Sequence, residues 1–180
     1  MSDATIPTTP ATSVCVVIEH VIWAPGSDWH AALDHIAGRF ARVEVLDVAA
    51  IERAGTVAAQ LLLLADWATA AGCDLDRELG RWFDEHLAMH VRPAPAITRA
   101  MRALAATRTV VAVSALPPRA AESIARHSGV WRSISALYGT VRTADELRSV
   151  LNAVGTEVVI AGPATPLPGG VSASASLSVD

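Results

Sequence analysis

Val14-Cys15-Val16-Val17-Ile18-Glu19-His20-Val21-Ile22-Trp23 is the stretch on which the reading of the fold turns. It is apolar and rich in β-branched residues, as are strands buried on both faces of a parallel sheet. Residues 14–23 are therefore expected to form the first strand. One carboxylate and one imidazole, Glu19 and His20, stand toward its carboxyl end. In open α/β sheets the chemistry lies beyond the carboxyl ends of the strands, which makes Glu19 and His20 the candidate catalytic residues. Neighbours in a regular strand point to opposite faces, so the two share one site only where that alternation relaxes. The plainer reading of Glu19 is a carboxylate paired with an arginine or hydrogen-bonded to a loop.

Composition bounds what such a strand belongs to. The chain has 180 residues, 52% of them hydrophobic, which suits one domain with a real core and excludes general disorder. The net charge is -4 and no basic block is present, so no nucleic-acid surface is expected. Cys15 and Cys73 read as incidental thiols, not as a disulfide or a metal pair. Residues 1–13 lack the basic and apolar regions of a signal peptide and are expected to be a flexible lead. The apolar run at residues 61–64 is too short to cross a bilayer, so a cytoplasmic protein with no membrane contact is expected.

Outward from the first strand, residues 24–28 form a turn cluster in which Ser27 or Asp28 is the expected N-cap. The helix that follows carries Trp29, Ala32, Leu33, Ile36 and Phe40 on one face. Residues 43–48 read as extended or as a connector. Residues 49–71 read as a helix breakable at Gly55, with Gly72 as its C-cap. Asp74 opens another helix, striped by Leu75, Leu79, Trp82, Phe83 and Leu87, which closes near His90 before Pro93 and Pro95. Beyond it come a helix over 96–106, a strand over 109–113 ending at Ser114, and a helix over 119–127. A strand over 134–138, a helix over 144–154 and a strand over 158–161 complete the order. Strands alternating with helices imply a parallel sheet. Residues 164–180, rich in Pro, Gly, Ser and Ala, are expected to be a flexible tail.

The order of an apolar strand, a helical insertion, His90-Val91-Arg92-Pro93-Ala94-Pro95-Ala96-Ile97, a helix and a strand ending in Ser114 resembles the haloacid dehalogenase-like (HAD) superfamily. The resemblance covers residues 14–163 and implies an α/β fold. Its core would be a Rossmann-like parallel sheet flanked by helices, residues 14–23 with 91–163. A small all-helical cap, residues 24–90, would be inserted after the first strand. Residues 140–147 and 157–163 are similar to the third and fourth motif regions of the family.

The resemblance also shows where this chain departs from the pattern. Active members end the first strand Asp-x-Asp, a nucleophile and a general acid–base; here Glu19 and Val21 hold those places. Glu19 displaces its oxygen by about one C–C bond, and a misplacement near 1 Å costs roughly a hundredfold. The third-motif lysine position falls on Val141, with Arg142 adjacent. The fourth motif, normally Gly-Asp, reads Gly162-Pro163. Mg²⁺ takes oxygen ligands, usually carboxylates and phosphate, and only Glu19 remains of the expected acids. Ser114 is retained where the family has its phosphate-binding hydroxyl.

Three other patterns in the sequence suggest binding chemistry. Arg119 and Arg126, after Ser114, can bind an anion or simply line a solvated helix face. His86 and His90, at i and i+4, fit a zinc pair in spacing, but no third ligand is apparent. Trp23, Trp29, Trp67, Trp82 and Trp131 can line an apolar pocket or a partner surface, core packing being the plainer role.

The sequence thus points to a HAD-like protein with a decayed phosphotransfer site. It would act as a binding or interaction module toward a small molecule or protein and would self-associate through its cap. Ser114, Arg119 and Arg142 are its expected anion-binding residues, with no metal and no cofactor. The alternative is a phosphatase- or dehalogenase-type hydrolase with Glu19 as nucleophile and Mg²⁺ as cofactor, or a pocket repurposed around Glu19 or His20 as general base.

Overall fold

The computed structural model describes residues 13–156 and 158–160. Four parallel strands form one sheet in the order β3-β2-β1-β4: β1 (Ser13–Val17), β2 (Thr109–Val113), β3 (Ala136–Tyr138) and β4 (Val159–Ile160). The α/β class and parallel sheet read from the sequence are those observed. β1 is central, running from Ser13 opposite Thr109 to Val17 opposite Val113 on one side and pairing Cys15 with Val159 on the other.

Alternation along β1 feeds two cores. Val14 and Val16 face a large apolar core that also takes Met101, Val110, Ala112, Ala121 and Ile124. Cys15 and Val17 face a smaller one with Val113, Leu147 and Val159. Helices α6 (Pro95–Ala105) and α7 (Pro118–His127) thus cover one face and α8 (Ala144–Val154) the other. Burial on both faces explains why β1 and β2 read as unbroken apolar runs.

Five further helices lie between β1 and α6: α1 (Ile18–Val21), α2 (Ser27–Phe40), α3 (Val48–Arg53), α4 (Val57–Ala71) and α5 (Leu75–His90). The last four share the large core with the sheet, through residues such as Leu33, Ile51, Leu61 and Phe83. The break at Gly55 is present, and Gly72 and Gly155 close α4 and α8 in the left-handed conformation. Among the described residues no helix is long and apolar enough to cross a membrane.

Three local expectations are corrected. The first strand stops at Val17, not Trp23. Its partner β2 ends opposite it at Val113, so later backbone groups have no ladder to join and bond locally. Ile22 and Trp23 donate to the Ile18 carbonyl at 2.9 and 3.1 Å. The N-cap of α2 is Gly26, not Ser27 or Asp28. Asp28 sits inside the first turn, where its carboxylate accepts the Trp23 indole N–H and the backbone N–H groups of Gly26 and Trp29. A shorter difference is that the strand expected from residue 134 begins at Ala136, after a 3-10 turn over Trp131–Ser133. The flexible lead, the tail and Gly162-Pro163 fall outside the described residues.

Gly139 positions the edge of this sheet against the loop after β2. A Cβ there would lie 2.5 Å from the Pro118 nitrogen and 2.8 Å from the Leu116 oxygen, backbone atoms that cannot rotate away. Gly139→Ala is expected to destabilise the fold by about 1–3 kcal/mol, read as a lowered urea midpoint. Gly38→Ala, with nothing within 4 Å of the new Cβ in α2, is expected to be neutral or to gain up to about 1 kcal/mol.

Candidate functional site

The turn of α1 carries Glu19 off the end of β1 and over the loop that leaves β2. Glu19 is 5% exposed. Its Oε1 accepts the Ser114 hydroxyl at 2.5 Å and the Ala115 backbone N–H at 3.1 Å. The Ser114 oxygen in turn accepts the Leu116 N–H at 3.1 Å. A carboxyl group sealed from water resists ionisation, and burial pushes Glu19 above the ordinary carboxylate range. The Ser114 hydroxyl and nearby backbone donors pull it back without cancelling the effect.

The strand end and turn after β3 hold that loop in place. Ser114 N–H donates to the Tyr138 carbonyl, Val141 N–H to Ser114 and Thr140 N–H to Leu116, at 2.8–2.9 Å. Thr140 has φ of 63°, a conformation that is an outlier for a β-branched residue. Two residues on, Arg142 precedes α8, whose capping box joins Thr143 and Glu146. The Glu146 carboxylate also accepts the Arg142 backbone N–H at 2.8 Å. From that fixed base the Arg142 side chain reaches back to donate Nε–H to the Ala115 carbonyl at 3.1 Å. Its Nη2 is buried with no hydrogen-bond partner among the described residues. Burial lowers the guanidinium pKa, with Asp76 and Glu146 opposing.

Of the residues singled out in the sequence, the structure brings Glu19 and Ser114 into contact and sets Arg142 against the next carbonyl. Arg119 is drawn elsewhere. On α7 it pairs with Asp84 of α5 at 2.7 Å, and Ser123 donates to the same carboxylate. The His20 backbone lies in α1 beside Glu19. Val21 is buried in the large core, and Val141 packs against the small one. Neither valine moves protons.

The donor set of the described residues does not match a magnesium seat: one carboxylate stands there among them, its Oε1 engaged by a hydroxyl and an amide, whereas Mg²⁺ demands near-octahedral oxygen ligation. Among the described residues no group of three or more His, Cys, Asp or Glu side chains is placed to hold a metal ion. His86 stacks on Trp82 at 5.1 Å between centroids, and His35 of α2 comes within 6.1 Å of His86. Trp23, Trp29 and Trp82 are buried in the large core, Trp23 and Trp82 edge-on to Phe83. Cys15 is buried, and desolvation pushes its thiol up to about 12, leaving it unreactive.

Sequence reasoning missed the Ala115 and Leu116 amides, whose role depends on a loop conformation that no side chain announces. It also passed over Thr143-x-x-Glu146, which was legible as a capping box and which fixes Arg142.

No protein-family model matches this sequence, and no curated protein matches it significantly. Its fold, however, is similar to that of solved structures. A haloacid dehalogenase-like family hydrolase from Streptococcus pneumoniae aligns over 83% of this chain and 75% of its own, with a TM-score of 0.54 and 10% identity. A haloacid dehalogenase-like family hydrolase from Xanthomonas campestris aligns over 84% and 74%, with a TM-score of 0.46 and 16% identity. The chain therefore has the HAD-like α/β fold.

The buried carboxyl makes stability depend on pH in a stated direction. Because the folded state raises the pKa of Glu19, its contribution is full below the unfolded value and is lost as pH rises through the folded one. Glu19→Gln removes this dependence. Urea unfolding from about pH 5 to about pH 8 is expected to show the Gln variant gaining on the parent as pH rises; parallel curves would contradict the assignment.

Proposed function

We propose that this chain is a HAD-like protein that binds without turning over, its phosphotransfer site having decayed. One observation carries the reading: the Ser114 hydroxyl and the Ala115 amide, donors suited to an incoming anion, are turned onto the chain's own Glu19. Those two donors occupy its Oε1, and burial raises its pKa, which disfavours the ionised form that a nucleophile or metal ligand requires. Val21 and Val141, at the places of the family's acid–base and lysine, supply no replacement. The ligand is a small molecule or a protein partner.

A second reading rests on Arg142. Among the described residues its buried Nη2 has no hydrogen-bond partner and no carboxylate forms a salt bridge with it, which leaves a cation able to hold an anion, as a hydrolase using Glu19 as nucleophile would require. A dehalogenase-type reaction of this kind needs no metal.

Purified protein is expected to show no hydrolysis of p-nitrophenyl phosphate or small phosphomonoesters above the blank with Mg²⁺, and no heat on magnesium titration. Turnover that Glu19→Gln abolishes would establish the second reading instead.

A further inference from the structure

At the other end of the sheet, before β2 and β3 begin, a cleft of about 320 Å³ is lined by Arg102, Arg126, Gly129, Trp131 and Arg132. Three arginines thus line one cleft in a chain whose net charge is -4. The Arg126 guanidinium makes two contacts: it lies 4.8 Å over the Trp131 ring and pairs with Glu122 at 2.6 Å. Both Nε and Nη2 go to that one carboxylate oxygen, so Nη1 remains available among the described contacts. Among the described residues no carboxylate pairs with Arg102 or Arg132.

Arg102 and Arg126 occupy the last turns of α6 and α7, where a cation offsets the helix dipole. That explanation does not reach Arg132, which lies in the 3-10 turn and lines the same cleft. Gly129, in the left-handed conformation, adds no side chain to the lining. Guanidinium forks match phosphoryl oxygens in geometry as well as charge. A tetrahedral dianion offers separate oxygens to more than one guanidinium fork, whereas a single carboxylate suits one. The volume lies at the lower end for small-molecule sites, about 300–1,000 Å³, which limits the body carried by the phosphoryl group.

We propose that this cleft is a phosphate-binding site for inorganic phosphate or a small phosphomonoester, separate from the Glu19 site and independent of whether that site turns over. The indole N–H resonance of Trp131, assigned with Trp131→Phe, reports it directly. Titration with inorganic phosphate, at ionic strength held constant with sodium chloride, is expected to shift this resonance saturably. Arg102→Gln and Arg132→Gln should each weaken the apparent affinity by about tenfold. Arg142→Gln, at the far end of the sheet, should leave it unchanged. The proposal is overturned by a shift that chloride alone reproduces or by succinate binding as tightly as phosphate. It is equally overturned by affinity that ignores both arginines and falls with Arg142→Gln.

Discussion

A carboxylate buried at the end of β1, with a hydroxyl and an amide turned onto it, sets the terms for its surroundings. Removing an unpaired charge from water costs several kcal/mol even after relaxation. Glu19 therefore needs donors or its proton, and the loop from Ser114 to Leu116 supplies the donors. That loop keeps its shape because Tyr138, Thr140 and Val141 bond its backbone. Those bonds require the close approach that Gly139 permits. A side chain, a loop, a glycine and an outlying threonine thus form one dependent set.

The helices between β1 and α6 share the large core with the sheet. Trp23, the residue that leaves α1, places its ring edge-on to Trp29 and Phe83 and gives its indole N–H to Asp28. The chain is thereby committed to α2 and α5 immediately after Glu19. Along α5, Gly80 lets the helix approach Arg119, where a Cβ would fall 2.8 Å from Cδ. One turn further, Asp84 binds both Arg119 and Ser123. These contacts fix α5 against α7 and explain why Arg119, a plausible anion ligand by position, is engaged across a helix seam.

A fold shared at 10% identity rests on features many sequences satisfy: two-sided burial of short strands, amphipathic helices and well-placed breaks. Such constraints are nearly silent about chemistry, which depends on individual atoms at the strand ends. Fold likeness therefore supports the HAD-like architecture here, while the functional reading has to rest on Glu19, Ser114 and Arg142 themselves.

Hydrophobic patterning alone determined most of the architecture. The apolar runs of β1 and β2, the stripe of α5, and the breaks at Gly55, Gly72 and Pro93 were all readable because burial and backbone sterics act residue by residue. The end of β1 was not readable, because it depends on where β2 stops, at Val113 opposite Val17, a fact held 96 residues away. Nor were the partners of Glu19 and Arg119, since each chooses among donors or acceptors that only packing brings near. Local preference wrote the elements; competition among distant groups for the same buried oxygen or guanidinium decided what they hold.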